Sequence, residues 1–306
     1  MIDIYSKIKQ LKKDKNAIIL AHFYQDPEIQ DIADFLGDSL KLAQCAKETD
    51  AEIILFCGVN FMCETAKILN PEKRVILPDV NAGCSLADSA PVDKVKKWIN
   101  YYPNYKVISY INCSAEVKAL SDIVCTSSNA EKIINSFPIN EKLLFLPDRS
   151  LGKYLNKKTN RNMILWDGYC MVHEIFSERS LVRLKVRNPE ALVVAHPECK
   201  DDILRHADFI GSTTSIIKFV KEENNNQFII ATEPGVIHQM KKQNRDKEFI
   251  PLPTNNGCQC NECPHMRLNT LEKIANALEN LKPEIILNND ICFKALKPLE
   301  KMLSLS

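Results

Sequence analysis

Three short stretches of the sequence close in the same way. IILAHFYQ (18–25), VISYINCS (107–114) and LVVAHPEC (192–199) are apolar runs ending in a polar pair with one residue between its members. The pairs are His22/Tyr24, Tyr110/Asn112 and His196/Glu198. At one constant distance beyond the first member of each pair stands a hydroxyl: Ser39 in DFLGDS, Ser127 in DIVCTSS and Thr213 in DFIGSTT. Imidazole, carboxylate and phenol are the groups that move protons in catalysis. A hydroxyl at the start of a helix, beside backbone N–H groups, favours an anion. Each residue alone has a plainer explanation. A Ser or Thr after a strand is usually an N-cap, and a lone His at a strand end is more often structural. Recurrence at fixed spacing favours a shared site, because duplication would keep an apolar strand pattern without keeping polar tips. Turn residues inherited by duplication are the competing reading.

Cysteine repeats with the same period. Cys84, Cys170 and Cys263 each follow an apolar run and a turn: RVILPDVNAGC (74–84), NMILWDGYC (162–170) and EFIPLPTNNGCQCNEC (248–263). Three thiolates from three repeats can hold a [4Fe–4S] cluster and leave one iron open as a Lewis acid. The four-cysteine ferredoxin run is not in the sequence. A local alternative is zinc at Cys258-x-Cys260-x2-Cys263-x-His265, although its C-x-C opening is tighter than usual zinc spacing and no second pair follows. Cys258 and Cys260 are otherwise redox-active neighbours of Cys263 or spares. Cys45, Cys57, Cys63, Cys113, Cys125, Cys199 and Cys292 sit in apolar or helical stretches, where packing is the better expectation.

The elements that must position these residues follow from the same register. A further strand lies in EIILFCGVN (52–60), KLLFLPD (142–148) and QFIIATE (227–233), giving three four-stranded units over about 17–84, 106–170 and 192–263. Helices are expected at 3–14, 91–102, 172–186 and 270–281. The fold class is α/β: three pseudo-threefold-related three-layer α/β/α domains, each with a four-stranded parallel sheet, around a central cavity. The expected boundaries are 1–88, 89–171 and 172–264, with the C-terminal helices of 265–306 packing on the first domain. Ligands of open parallel sheets bind beyond the carboxyl ends of the strands. All the residues above lie at such ends, so they should converge on one cavity suited to a small polyanion bearing carboxylates or phosphate.

Composition excludes other chemistry. The eight glycines, at 37, 58, 83, 152, 168, 211, 235 and 257, form neither GxGxxG nor GxxxxGK[ST], so glycine-rich phosphate cradles are absent. Lys and Arg number 40 against 39 Asp and Glu, which gives no reason to expect nucleic acid or an acidic membrane. With no apolar targeting run or membrane span, the twelve cysteines read as cytoplasmic thiols rather than a disulfide framework.

AHFYQDPEIQDIADFLGDSL (21–40), CTSSNA (125–130), GYCMVH (168–173), HPEC (196–199), GSTT (211–214) and CPHM (263–266) together resemble the quinolinate synthase family, over nearly the whole chain. The resemblance implies three pseudo-equivalent α/β domains and one [4Fe–4S] cluster on Cys84, Cys170 and Cys263, with the fourth iron open. It also implies condensation of iminoaspartate with dihydroxyacetone phosphate to quinolinate, with loss of phosphate and two waters, in NAD biosynthesis. The functional partner would be an aspartate oxidase or dehydrogenase that supplies the imine. Substrate positions of that family fall on His22, Ser39, Tyr110, Asn112, Ser127, His196, Glu198 and Thr213, and further active-site positions on Tyr24 and His173. The departure is at Cys258 and Cys260: some members carry C-x2-C-x2-C where this chain has C-x-C-x2-C, which puts thiol–disulfide regulation in doubt here. A cluster enzyme of diphthamide synthesis also draws one cysteine from each of three α/β repeats, but the AHFY, GDS and HPE motifs have no evident use in that chemistry.

Overall fold

Runs rich in Ile, Val and Leu form three parallel sheets in the computed structural model, which describes residues 3–254 and 261–306. Cys258 and Cys260 therefore lie outside the described residues. The first sheet comprises β1 (Ala17–His22), β2 (Phe35–Gly37), β3 (Ile53–Cys57) and β4 (Arg74–Ile76), in the order β2-β1-β3-β4. The second comprises β5 (Lys106–Tyr110), β6 (Ile123–Cys125), β7 (Leu143–Leu146) and β8 (Ile164–Leu165), in the order β6-β5-β7-β8. The third comprises β9 (Leu192–Ala195), β10 (Phe209–Ile210), β11 (Gln227–Ala231) and β12 (Glu248–Pro251), in the order β10-β9-β11-β12. Every pairing is parallel, and helical crossovers connect the strands, as parallel pairing requires. The α/β reading with three four-stranded parallel sheets holds. In each sheet the strand bearing the polar pair is the second of four, covered on both faces, which explains its unbroken apolar run.

The expected helices 3–14, 91–102 and 270–281 form as Ile4–Asp14, Val92–Tyr101 and Leu271–Asn280. The expected helix 172–186 is instead two, Met171–Glu174 and Glu178–Arg187. The break lies at Phe176, whose ring is buried in the third unit's core and whose backbone bridges to Thr254. Ser177 then caps the second helix by accepting the Ser180 N–H. The C-terminal helices also divide. Leu271–Asn280 lies against Ile4–Asp14 and β3, whereas Asn289–Ser304 rests on β6 and helix Ala115–Lys118 as well as helix Asn60–Leu69. The last helix thus bridges the first and second units, and Ala295, Leu299 and Met302 enter a core continuous across both. The third unit has separate core clusters on the two faces of its sheet.

Candidate functional site

The residues expected to bind substrate or cluster all line one cavity, where the carboxyl ends of the three central strands meet. His22 ends β1, Tyr110 ends β5, and His196 follows β9 directly; Tyr24, Asn112 and Glu198 stand in the turns beyond. Ser39 and Thr213 are the first residues of helices Ser39–Glu48 and Thr213–Glu222. Neither is the cap. Asp38 accepts the Lys41 N–H and Ser212 accepts the Ser215 N–H, which leaves the Ser39 and Thr213 hydroxyls for the cavity. Ser127 departs from this pattern: it sits in the turn before helix Ala130–Asn135 and not at a helix start. The reason is local, because Asn129 Oδ1 accepts from both the N–H and the hydroxyl of Thr126 and folds the segment into a turn.

The two histidine motifs use the same local device. Nδ1 of His22 accepts the Tyr24 backbone N–H at 3.2 Å, and Nδ1 of His196 accepts the Glu198 N–H at 3.4 Å. With Nδ1 so engaged, the proton of each neutral ring belongs on Nε2. His196 Nε2 lies 3.2 Å from the Ser127 hydroxyl. Burial lowers His22 to about 4 despite the nearby Asp38 and Glu198, and lowers His196 to about 3 despite Glu198. Both rings are neutral hydrogen-bond donors at pH 7.

Glu198 is the hub of the buried network. Its Oε1 accepts from the Tyr110 hydroxyl at 2.5 Å and its Oε2 lies 2.9 Å from His173 Nδ1. Burial works to raise the Glu198 carboxyl, but the neighbouring His196 and His173 and the bonds from His173 and Tyr110 hold it below the ordinary carboxylate range. Burial and the Glu198 charge push Tyr24 and Tyr110 upward, so both phenols keep their protons. A residue not singled out in the sequence completes the chain. Thr232, the first residue after β11, places its hydroxyl 3.0 Å from His173 Nε2 and 2.9 Å from the Tyr24 hydroxyl. Tyr24 in turn lies 3.1 Å from the Thr213 hydroxyl. Thr213, Tyr24, Thr232, His173, Glu198 and Tyr110 therefore form one hydrogen-bonded line. Only the tertiary fold reveals Thr232, because a Thr at a strand end is unremarkable as sequence.

Cys84, Cys170 and Cys263 all line the same cavity. Each is a free, half-buried thiol; Cys84 and Cys170 occupy the N-cap positions of short helices, and Cys263 stands three residues before a 3₁₀ turn. Burial pushes Cys84 up to about 12, and Cys170 and Cys263 are raised for the same reason. Backbone N–H groups oppose that shift in each case: Ala87 and Leu86 at Cys84, His173 at Cys170, and Met266 and His265 at Cys263. A sulfur faced by N–H donors two or three residues ahead is prepared to carry the negative charge of a metal-bound thiolate. Three such sulfurs from three repeats fit the expected cluster. Cys170 Sγ, His173 and Glu198 also bring ligand atoms within 4.8 Å of one another, a grouping able to hold a metal ion. Gly168 shapes the second of these loops, since a Cβ there would run into the Ser89 hydroxyl and the Pro147 carbonyl oxygen.

The family model for quinolinate synthetase A protein matches residues 6–304. The chain belongs to that family. It is 57% identical over 304 residues to a quinolinate synthase of Rippkaea orientalis, covering 99% of this chain and 94% of that protein. It is 55% identical over 305 residues to one of Nostoc punctiforme, covering 100% and 94%, and 56% identical over 304 residues to one of Synechocystis, covering 99% and 96%. The chain is thus an enzyme of NAD biosynthesis. Among the described residues, no helix is long and apolar enough to cross a membrane.

Proposed function

We propose that this enzyme condenses iminoaspartate with dihydroxyacetone phosphate to quinolinate, releasing phosphate and two waters, with a [4Fe–4S] cluster held by Cys84, Cys170 and Cys263. The observation that carries this reading is the convergence of one thiol and one polar strand tip from each unit on a single cavity. When bound, the cluster supplies a Lewis acid through the iron that has no protein ligand.

The chain's own residues handle charge and protons. Asn112 Oδ1 is buried without a hydrogen-bond partner, so the site holds an acceptor for a substrate hydroxyl or N–H. The Nε2–H groups of His22 and His196, with the hydroxyls of Ser39, Ser127 and Thr213, donate to carboxylate and phosphate oxygens. Neutral imidazoles suit that duty, since they donate without trapping the anion product in an ion pair. Glu198, ionised at neutral pH, serves as the base. Tyr24 delivers a proton to departing oxygen, and Thr232 and His173 link it to Glu198. Iminoaspartate comes from an aspartate oxidase or dehydrogenase, and the protein works in the cytoplasm, where its thiols stay reduced. The three units correspond to 1–88, 89–171 and 172–264.

Anaerobically purified protein should form quinolinate from the two substrates while carrying about four irons and four sulfides per chain. Cys84→Ala should lose the cluster absorbance and the activity together. A full four-iron signal in that variant would remove the ligand assignment, and metal retained at the Cys258, Cys260, Cys263 and His265 group alone would favour the local zinc alternative.

A further inference from the structure

The polar strand tips account for the second strand of each sheet. The third strands carry a pattern of their own. Pairing aligns Ala21 with Cys57, Ser109 with Leu146 and Ala195 with Ala231. Two residues beyond those partners, the equivalent positions are Val59, Asp148 and Glu233. Asp148 and Glu233 are both fully buried carboxylates, and neither belongs to the line of proton-handling groups. Glu233 alone of the two grips a cysteine loop through its side chain: its Oε1 accepts the Cys263 N–H at 3.3 Å, whereas Asp148 Oδ2 is buried without a hydrogen-bond partner.

Glu233 is tied on every side. Its Oε1 also receives Arg267 Nη2 at 2.7 Å, and its Oε2 accepts the Gly235 N–H at 2.7 Å. Arg267 reaches on to donate to the Tyr24 carbonyl oxygen at 2.5 Å. A Cβ on Gly235 would lie 2.7 Å from Glu233 Oε2 and 3.0 Å from the Tyr24 backbone, so glycine is what lets the two units approach here. One buried carboxylate therefore joins the Cys263 loop, the third unit and the backbone of Tyr24. Asp148 instead caps helix Arg149–Thr159, its Oδ1 accepting the Leu151 N–H at 2.7 Å. The first unit has Val59 at this position, and there the Asn60 N–H instead bonds the Ala82 carbonyl, two residues before Cys84.

We propose that Glu233 is a positioning residue: a buried carboxyl group that, together with Arg267, holds the backbone of the Cys263 loop. The inference rests on Cys84, Cys170 and Cys263 being cluster ligands. It predicts a change at one cysteine that general destabilisation would not produce: in Glu233→Gln the grip on the Cys263 loop weakens while the loops of Cys84 and Cys170 are untouched.

The test uses cluster-loaded full-length protein, pulse-alkylated anaerobically with iodoacetamide and mapped by mass spectrometry. Glu233→Gln should raise labelling of Cys263 about tenfold relative to Cys84 and Cys170, the change expected from weakening the buried hydrogen bonds that Glu233 makes. Equal increases at all three cysteines, or unchanged ratios, overturn the proposal. If Glu233→Gln fails to fold, Arg267→Lys keeps the buried charge paired but cannot reach both Glu233 and Tyr24, and the same Cys263 ratio is read there. Wild-type protein whose three cysteines are unprotected by the cluster would sink the ligand assignment itself, an outcome distinct from normal protection with no selective rise at Cys263.

Discussion

Thr232 shows what a single buried hydroxyl does when it stands between two acid–base groups. It touches both Tyr24 and His173, and its side chain is almost wholly inaccessible. Thr232→Val keeps the shape and removes the link, leaving a buried phenol and a buried imidazole short of a partner. A loss of that kind is worth about 1–3 kcal/mol, or roughly ten- to a hundredfold in turnover if the line carries protons. The variant should keep its iron content, and turnover within twofold of wild type would remove Thr232 from the proton path. The contrast with Ser39 and Thr213 explains what was legible. Those hydroxyls announce themselves by constant spacing, and the structure adds that Asp38 and Ser212 perform the capping that would otherwise explain them away. Thr232 and Glu233 have no such signature, because their equivalents are Gly58 and Val59 in one unit and Pro147 and Asp148 in another.

At the scale of elements, period and polarity specified the strands well, since a covered parallel strand must be apolar throughout. Helices were less legible where tertiary contacts overrule local pattern. Met171 to Arg187 has helical composition, yet burying Phe176 and pairing it with Thr254 stops one helix and starts another. The last helix, Asn289–Ser304, is expected on the first unit alone. Its apolar face covers the seam between the first two units. Leu299, fully buried in the shared core, is its anchor. Leu299→Ala should cost about 2–5 kcal/mol, the usual range for emptying such a position. Because the core is continuous, the loss should lower protection from hydrogen exchange in β6 and in helix Asn60–Leu69 alike. Loss confined to one of the two would show that the helix belongs to a single unit.

For the whole molecule, the decisive fact is that three sheets meet at their strand ends and bury titratable groups where they meet. Packing three such ends together excludes water from His22 and His196 more completely than either unit does alone, and this sets an acid limit on stability. Burial lowers the two rings to about 4 and about 3, whereas an unfolded chain returns them to the ordinary 6.5. Above pH 6.5 both states hold them neutral and the stability is undiminished. Below it, the unfolded chain takes up protons that the folded chain refuses, so stability falls with pH until the folded values are reached. Each imidazole contributes at most about 1.4 kcal/mol per pH unit across that window. Replacing both with glutamine removes the titration while retaining an N–H donor. Denaturant midpoints measured from pH 7 to pH 5 should therefore fall more steeply for the wild type than for the His22→Gln/His196→Gln double variant. Parallel curves would mean that the cavity lets in enough water to hydrate these rings, and that their neutrality at neutral pH owes nothing to the way the three units close around them.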